Sequence, residues 1–156
     1  ARWSEIDMDA KVWRIPAERM KARRPHDVPL STQALAVLDH ARGLDAELVF
    51  PSSVRGSDGQ TRPLSNMAML TALSRHGLRR RTTVHGLARA TFSTWANERG
   101  IARPDVVEAA LAHAEGDKTR AAYNRASFDD ERRALLQAWG DYLVREAAQV
   151  VVLRAA

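Results

Sequence analysis

The chain contains no cysteine in its 156 residues. That excludes a disulfide framework and a thiolate metal site, and it fits a reducing compartment. No apolar run approaches the roughly 18 residues that a membrane-spanning helix needs. No charged-then-apolar leader opens the sequence as it stands. The expected location is therefore the cytoplasm, with no membrane partner. Several catalytic signatures are missing as well. There is no HExxH, no Gly-rich phosphate loop and no Ser nucleophile elbow, and the five histidines are too scattered for a metal site.

What is present describes an ordinary folded domain. Hydrophobic residues make up 45% and charged residues 28% of a chain whose length suits one domain with a proper core. The net charge is +5 and the pI about 10.4. Arginine carries most of it, and its planar fork suits phosphate oxygens. A basic balance favours polyanion partners without specifying nucleic acid. The chain opens on Ala1-Arg2-Trp3, as if inside an element, and is read as a fragment of a longer protein.

Residues 7–30 read as a small antiparallel sheet. Lys11 to Ile15 alternates, with Trp13 and Ile15 on one face, and Pro16 ends the strand. A return strand from Asp27 to Leu30 puts Val28 and Leu30 on one face, and Pro29 suits an edge because it cannot donate to a ladder. The hairpin tip between them carries Lys21, Arg23, Arg24 and His26. From Ser31, a residue type that can cap a helix, the period becomes helical. Ala34, Leu35, Val37, Leu38 and Ala41 form an apolar stripe that stops at Gly43. Residues 44–63 read as loop. Ser65 is expected to cap a helix bearing Met67, Leu70 and Leu73, with the methionines as core filler and Gly77 past its end.

The clearest helix runs from Thr83 to Gly100, with Ala88, Phe92, Trp95 and Ala96 as its buried stripe. A second starts at Pro104, turns Val106, Val107, Ala110 and Leu111 inward, and ends near His113. Residues 114–117 read as a turn and 118–126 as a short Ala-rich helix bearing Tyr123. Ser127 opens a capping box for a last helix that runs to about Glu146 and buries Leu135, Leu136, Trp139, Tyr142 and Leu143. The tail holds Val150 to Leu153, an apolar, β-prone strip in need of a partner in this chain or another.

Within Thr83–Arg125 lie an imidazole, a guanidinium, a second imidazole and a phenol: His85, Arg89, His113 and Tyr123. His85 and Arg89 are four residues apart and share a helical face. The pair reads either as a helix cap with an ion-paired arginine, or as a phosphate-binding edge near a helix N-terminus. The run Arg79-Arg80-Arg81 and the hairpin-tip arginines Arg23 and Arg24 read either as solvated surface or as phosphate contacts.

Three stretches, ARWSEIDMDAKVWRIPAERMKARRPHDVPLS, TVHGLARATFSTWANERG and LAHAEGDKTRAAYNRA, together resemble the catalytic domain of a tyrosine recombinase, specifically a prophage or genomic-island integrase of the P4 type. The resemblance spans Ala1 to about Leu143. It implies a mainly α fold with a small antiparallel β-sheet (α+β), the tyrosine recombinase catalytic-domain fold lacking its first helices. Residues 1–147 would form that domain and 148–156 a C-terminal tail able to pack on a neighbouring protomer or fold back. The implied activity is site-specific DNA recombination: integration or excision of a mobile element through a 3′-phosphotyrosyl intermediate. On this resemblance Tyr123 is the nucleophile and Arg89 clamps the scissile phosphate. His85 and His113 are further phosphate ligands, and Lys21 is the general acid on the leaving 5′ oxygen. No cofactor and no metal are implied. The partners are double-stranded DNA at attachment sites and other integrase protomers.

Two departures stand out. The family box is His-x-x-Arg, whereas His85-Gly86-Leu87-Ala88-Arg89 is one residue longer. The family's first catalytic arginine precedes the segment matching ARWSEID, so the fragment is expected to be inactive alone. Two alternatives stay open: a non-catalytic DNA-binding remnant of an integrase, and a type IB topoisomerase-like nicking enzyme.

Overall fold

The computed structural model describes residues 1–113 and 128–154. Among these, five α-helices and one small antiparallel sheet make a mainly α domain, as expected. The sheet has three strands in the order β1 (Ile6–Asp7), β2 (Val12–Ile15), β3 (His26–Pro29). The sequence suggested two strands; β1, only two residues long, has too short a period to be read. Asp7 Oδ1 accepts the Ala10 N–H at 2.8 Å and closes the β1–β2 turn, with Lys11 left-handed at φ 55°. Trp13 stands opposite Val28 and Val12 opposite Pro29. Val12 is the buried side chain of β2, while Trp13 and Ile15 are half-buried on its other face. Pro29 does lie on an edge strand.

Helix α1 (Thr32–Ala41) starts as expected, with Ser31 Oγ accepting the Ala34 N–H at 3.2 Å. Leu38 and Ala41 are buried, but Val37 is exposed. They pack with Val49, which is drawn inward because Val49 N–H donates to Ala1 O and Trp3 N–H to Glu47 O. Helix α2 (Ala68–Arg75) begins later than Ser65 would place it, and Met67 and Met69 face outward rather than fill the core. Leu73 alone of its apolar residues is buried.

The larger core joins α3 (Thr91–Glu98), α4 (Pro104–Ala110) and α5 (Asp129–Arg154). Phe92, Trp95, Ala96, Val106, Val107 and Leu135 are buried there. Trp139 meets Phe92 edge-on at 5.6 Å and Trp95 at 4.9 Å, while Tyr142 stacks on Trp139 at 5.6 Å. Such aromatic pairs add about 0.5–1.5 kcal/mol each to the area they bury. Leu143, expected inside, is exposed. Helix α5 continues to Arg154, so the backbone of Val150–Leu153 is helical rather than an extended strip. The turn expected at 114–117, the short helix expected at 118–126 and the Ser127 cap lie outside the described residues.

Two seams tie the cores together. Gln137 and Gln33 on facing helices bond each other, Thr32 and Asp141. This needs α1 and α5 close together, and a Cβ at Gly140 would come within 2.8 Å of Ser31 Oγ. Arg132, buried on α5, donates to the carbonyl of Asp27 on β3.

Candidate active site

The segment after the arginine run starts with a cap. Thr83 Oγ1 accepts the Gly86 N–H at 2.9 Å, so Thr83, and not His85, closes the helix start. From Gly86 to Ala90 the backbone is wound as a π turn, in which the Thr91 N–H reaches back five residues to the Gly86 carbonyl. The Thr91 hydroxyl donates to the same carbonyl at 2.8 Å. A π turn takes up one residue more than an α turn, and such bulges favour functional sites. The extra residue between His85 and Arg89 falls inside it. Ala88, placed on the buried stripe by an α period, is therefore carried to the surface, while Phe92, Trp95 and Ala96 keep their buried places. Arg89 and His85 line one cleft.

The opposite wall comes from the end of α4. His113 N–H donates to Glu108 O at 3.0 Å and Ala112 N–H to Ala109 O at 3.1 Å, with Ala112 left-handed at φ 55°. This is a Schellman ending made without glycine. It turns the chain so that the His113 ring meets the Arg89 guanidinium through Nε2, while Nδ1 lies 2.5 Å from Glu108 Oε2. The resulting cleft, of about 490 Å³, is lined by His85, Gly86, Arg89, Ala90, Ser93, Leu111 and His113. Its polar lining offers a guanidinium, two imidazoles and a hydroxyl, a donor-rich set that suits an anion. A second cleft, beside β1, contains Glu5, Asp7 and Asp9 and has the opposite character.

Lys21 does not line the cleft among the described residues. It lies on the exposed β2–β3 turn with Arg23 and Arg24, and Arg23 is left-handed at φ 53°. The base of that hairpin is fixed to the helices beneath the cleft. Arg132 holds Asp27, and the His26 ring bonds the backbone of Ala110 on α4. Burial, and then the nearby Arg132 charge, hold the His26 pKa below the usual imidazole value. Arg79, Arg80 and Arg81 form an exposed turn before Thr83. By contrast with Arg2, Arg14, Arg19 and Arg103, which pair with carboxylates, these three and the hairpin-tip arginines have no acidic partner among the described residues. Tyr123 lies outside the described residues. No metal-binding cluster occurs among the described residues, nor any helix long and apolar enough to cross a membrane.

Sequence reasoning missed Ser93 and Glu108. Ser93 was legible, one helical step beyond Arg89. Glu108 was not, because its contact with a residue five positions away depends on the Schellman ending rather than on a helix face.

Fold and cleft together define a small α+β domain with a donor-lined recess between two helices. The sequence profile of the phage integrase family matches residues 1–130. The chain is 42% identical over 155 residues to the prophage integrase IntA of Escherichia coli K12, which covers 98% of this chain and 36% of that protein. It is 37% identical over 159 residues to the integrase of Enterobacteria phage P4, covering 92% of this chain and 35% of that protein. The integrase of Shigella phage Sf6 is 32% identical over 145 residues, 91% of this chain and 36% of its own. The chain thus belongs to the phage integrase family and spans about a third of the length of these relatives. No solved structure gives a significant match.

Proposed function

We propose that this chain carries the phosphate-holding part of a tyrosine recombinase active site, which integrates or excises a phage-like element at DNA attachment sites. The observation that supports this is the convergence of His85, Arg89 and His113, from two separate helices, on one cleft. In this reading a phosphodiester enters the cleft and its non-bridging oxygens take hydrogen bonds from Arg89 and the two imidazoles. Negative charge grows on those oxygens during phosphoryl transfer, which is where fixed donors lower the barrier. Tyr123 supplies the phenol. With an ordinary pKa near 10, a phenol attacks phosphorus slowly until it loses its proton, and cationic donors around the phosphate favour that loss. Its attack forms the 3′-phosphotyrosyl bond and breaks the bond to the 5′ oxygen, which takes a proton from Lys21. Attack by a 5′-hydroxyl of another strand reverses the sequence and joins the new partners. Arg23, Arg24 and Arg79–Arg81, without acidic partners among the described residues, contact the duplex backbone. Residues 148–156 pack on a neighbouring protomer or on their own domain, and sedimentation with and without them separates the two.

The test is covalent adduct formation on a nicked attachment-site duplex, by this chain and by a longer protein that includes it. Adduct is expected from the longer protein and lost in Tyr123→Phe. Adduct that survives Tyr123→Phe removes Tyr123 as nucleophile. Salt-dependent binding with no adduct from either protein favours a non-catalytic DNA-binding remnant.

A further inference from the structure

Glu5 is an acid whose side chain is only 9% exposed, and three partners from different segments share it. The Trp13 indole N–H, from β2, donates to Oε2 at 3.0 Å. The Arg2 N–H donates to the same oxygen at 3.2 Å. The Arg19 guanidinium pairs with Oε1. A carboxylate taken out of water is costly unless charge and hydrogen bonds replace the water, and here both oxygens are engaged. Trp13 stands opposite Ile6 in the ladder, so Glu5 is a fixed point beside β1 and β2. Arg19 ends a short 3-10 turn, Ala17–Arg19, that follows β2, and its N–H donates to Pro16 O at 3.1 Å. Met20 N–H donates to Ala17 O at 3.1 Å and Arg23 N–H to Met20 O at 3.0 Å. Lys21 sits inside this run of tight turns, two residues past Arg19. It is exposed and has no partner of its own among the described residues. The local turns fix the shape of the limb but not its direction away from the sheet. That direction is set where the limb grips the rest of the domain, and the Arg19–Glu5 pair is such a place.

We propose that Glu5 is a positioning residue for Lys21, holding through Arg19 the limb that carries the lysine. Glu5 touches no substrate and exchanges no proton in the reaction. The role rests on the reading of Lys21 as the proton donor. In that step the Tyr123 oxygen bonds to phosphorus, the bond from phosphorus to the 5′ oxygen breaks, and a Lys21 proton passes to that oxygen. The donor must then come within about 2.6–3.2 Å of one particular atom. With Arg19 released from Glu5, the limb keeps its local turns but points in more directions. Lys21 is then within reach of the leaving oxygen for less of the time.

The experiment uses two variants. Glu5→Gln keeps the shape and an acceptor for Trp13 but loses the charge, and Arg19→Met changes an exposed residue. Adduct formation by the longer protein is timed on two nicked duplexes, one ordinary and one with sulfur in place of the bridging 5′ oxygen. A thiol, with a pKa of about 8.5, leaves as the thiolate without a proton donor. Sulfur therefore erases a defect that acts through Lys21 and leaves one that acts through phosphate binding, Tyr123 or folding. Lys21→Ala is the reference, expected to be slower on the ordinary duplex by about 10²–10⁴. Glu5→Gln and Arg19→Met are expected to be slower there by about tenfold to a hundredfold. The double variant should be no slower than the slower single one, because the two act as a unit. All are expected to reach the wild-type rate on the sulfur duplex. Wild-type rates on the ordinary duplex in both single variants overturn the proposal. Restoration of Lys21→Ala by sulfur, but not of the Glu5 and Arg19 variants, overturns the positioning role alone. Failure of sulfur to restore Lys21→Ala removes Lys21 as the acid. NMR order parameters of the 156-residue chain test the grip without any reaction. At the Arg19 and Met20 amides they are expected near the rigid value of about 0.85, falling below about 0.6 in both variants. Values unchanged in the variants overturn the proposal.

Discussion

The two apolar clusters among the described residues differ in size, in composition and in what they hold up. The cluster of α3, α4 and α5 is rich in aromatic rings and carries the cleft on its outer edge, with His85 and Arg89 on one helix and His113 on the next. The cluster under the sheet is small, with Leu38, Ala41 and Val49 buried and Trp3, Ile6, Met8 and Leu30 packed part-buried against them. Leu30 follows β3 at the base of the hairpin whose tip bears Lys21. The groups read as phosphate ligands thus rest on the larger, aromatic cluster, while the group read as the proton donor sits on an exposed turn tied down at the base of its hairpin. Ligands of a shared anion must keep fixed mutual positions, since an error of about 1 Å can cost a hundredfold in rate. A proton donor needs to arrive only once the substrate is bound.

Phe92→Ala is expected to have the largest effect, about 3–5 kcal/mol of stability, because it leaves a cavity among packed rings. Leu38→Ala in the smaller cluster should cost less, about 2–3 kcal/mol. Urea unfolding measures both, and a reversed order breaks the ranking of the two cores. Arg89→Ala is expected to lower the rate of adduct formation in the longer protein by about 10²–10³. It should leave the unfolding midpoint of this chain unchanged, because the side chain is exposed. A large shift in that midpoint would make Arg89 a structural residue instead. Ala112→Gly removes a left-handed alanine from the α4 ending and is expected to add up to about 1 kcal/mol. A loss of stability would show that the turn is set by something other than its backbone.

The smallest effect concerns pH. His26 has its folded pKa held below the unfolded value of about 6.5. The unfolded chain therefore binds the proton first as pH drops, and the His26 contribution to stability should decline below about pH 6.5. Thermal melts between pH 7.5 and 5.5 should show this decline, and His26→Gln should flatten it. An unchanged slope in the variant would assign the decline elsewhere.

Much of this architecture is legible in residue order. Ser31 as a cap, Pro104 at a helix start and Gly43 and Gly77 beyond helix ends follow from local backbone chemistry that tertiary packing does not override. Phe92, Trp95, Ala96, Val106, Val107 and Leu135 follow from period alone. Where the readings failed, a local rule met a longer-range fact. Val37, Met69 and Leu143 have apolar side chains on helix positions that no described element covers. Val150–Leu153 has β-branched residues, but they continue a long helix already under way. Ala88 was misplaced because the period was assumed constant. His85, Arg89 and His113 were expected to work together and do share a cleft, whereas the distance from Lys21 to that cleft depends on hairpin geometry that no spacing encodes.

The wide turn at Gly86–Ala90 also bears on how such a domain tolerates change in length. One surplus residue in an ordinary helix rotates everything after it by about 100°, which would swing Phe92 and Trp95 out of the interior. Here the surplus is taken up within five residues, and the downstream helix keeps its address. Chain length and side-chain register are thereby uncoupled at a helix where the cleft and the core share a backbone, so the cleft edge can be lengthened without rewriting the interior behind it.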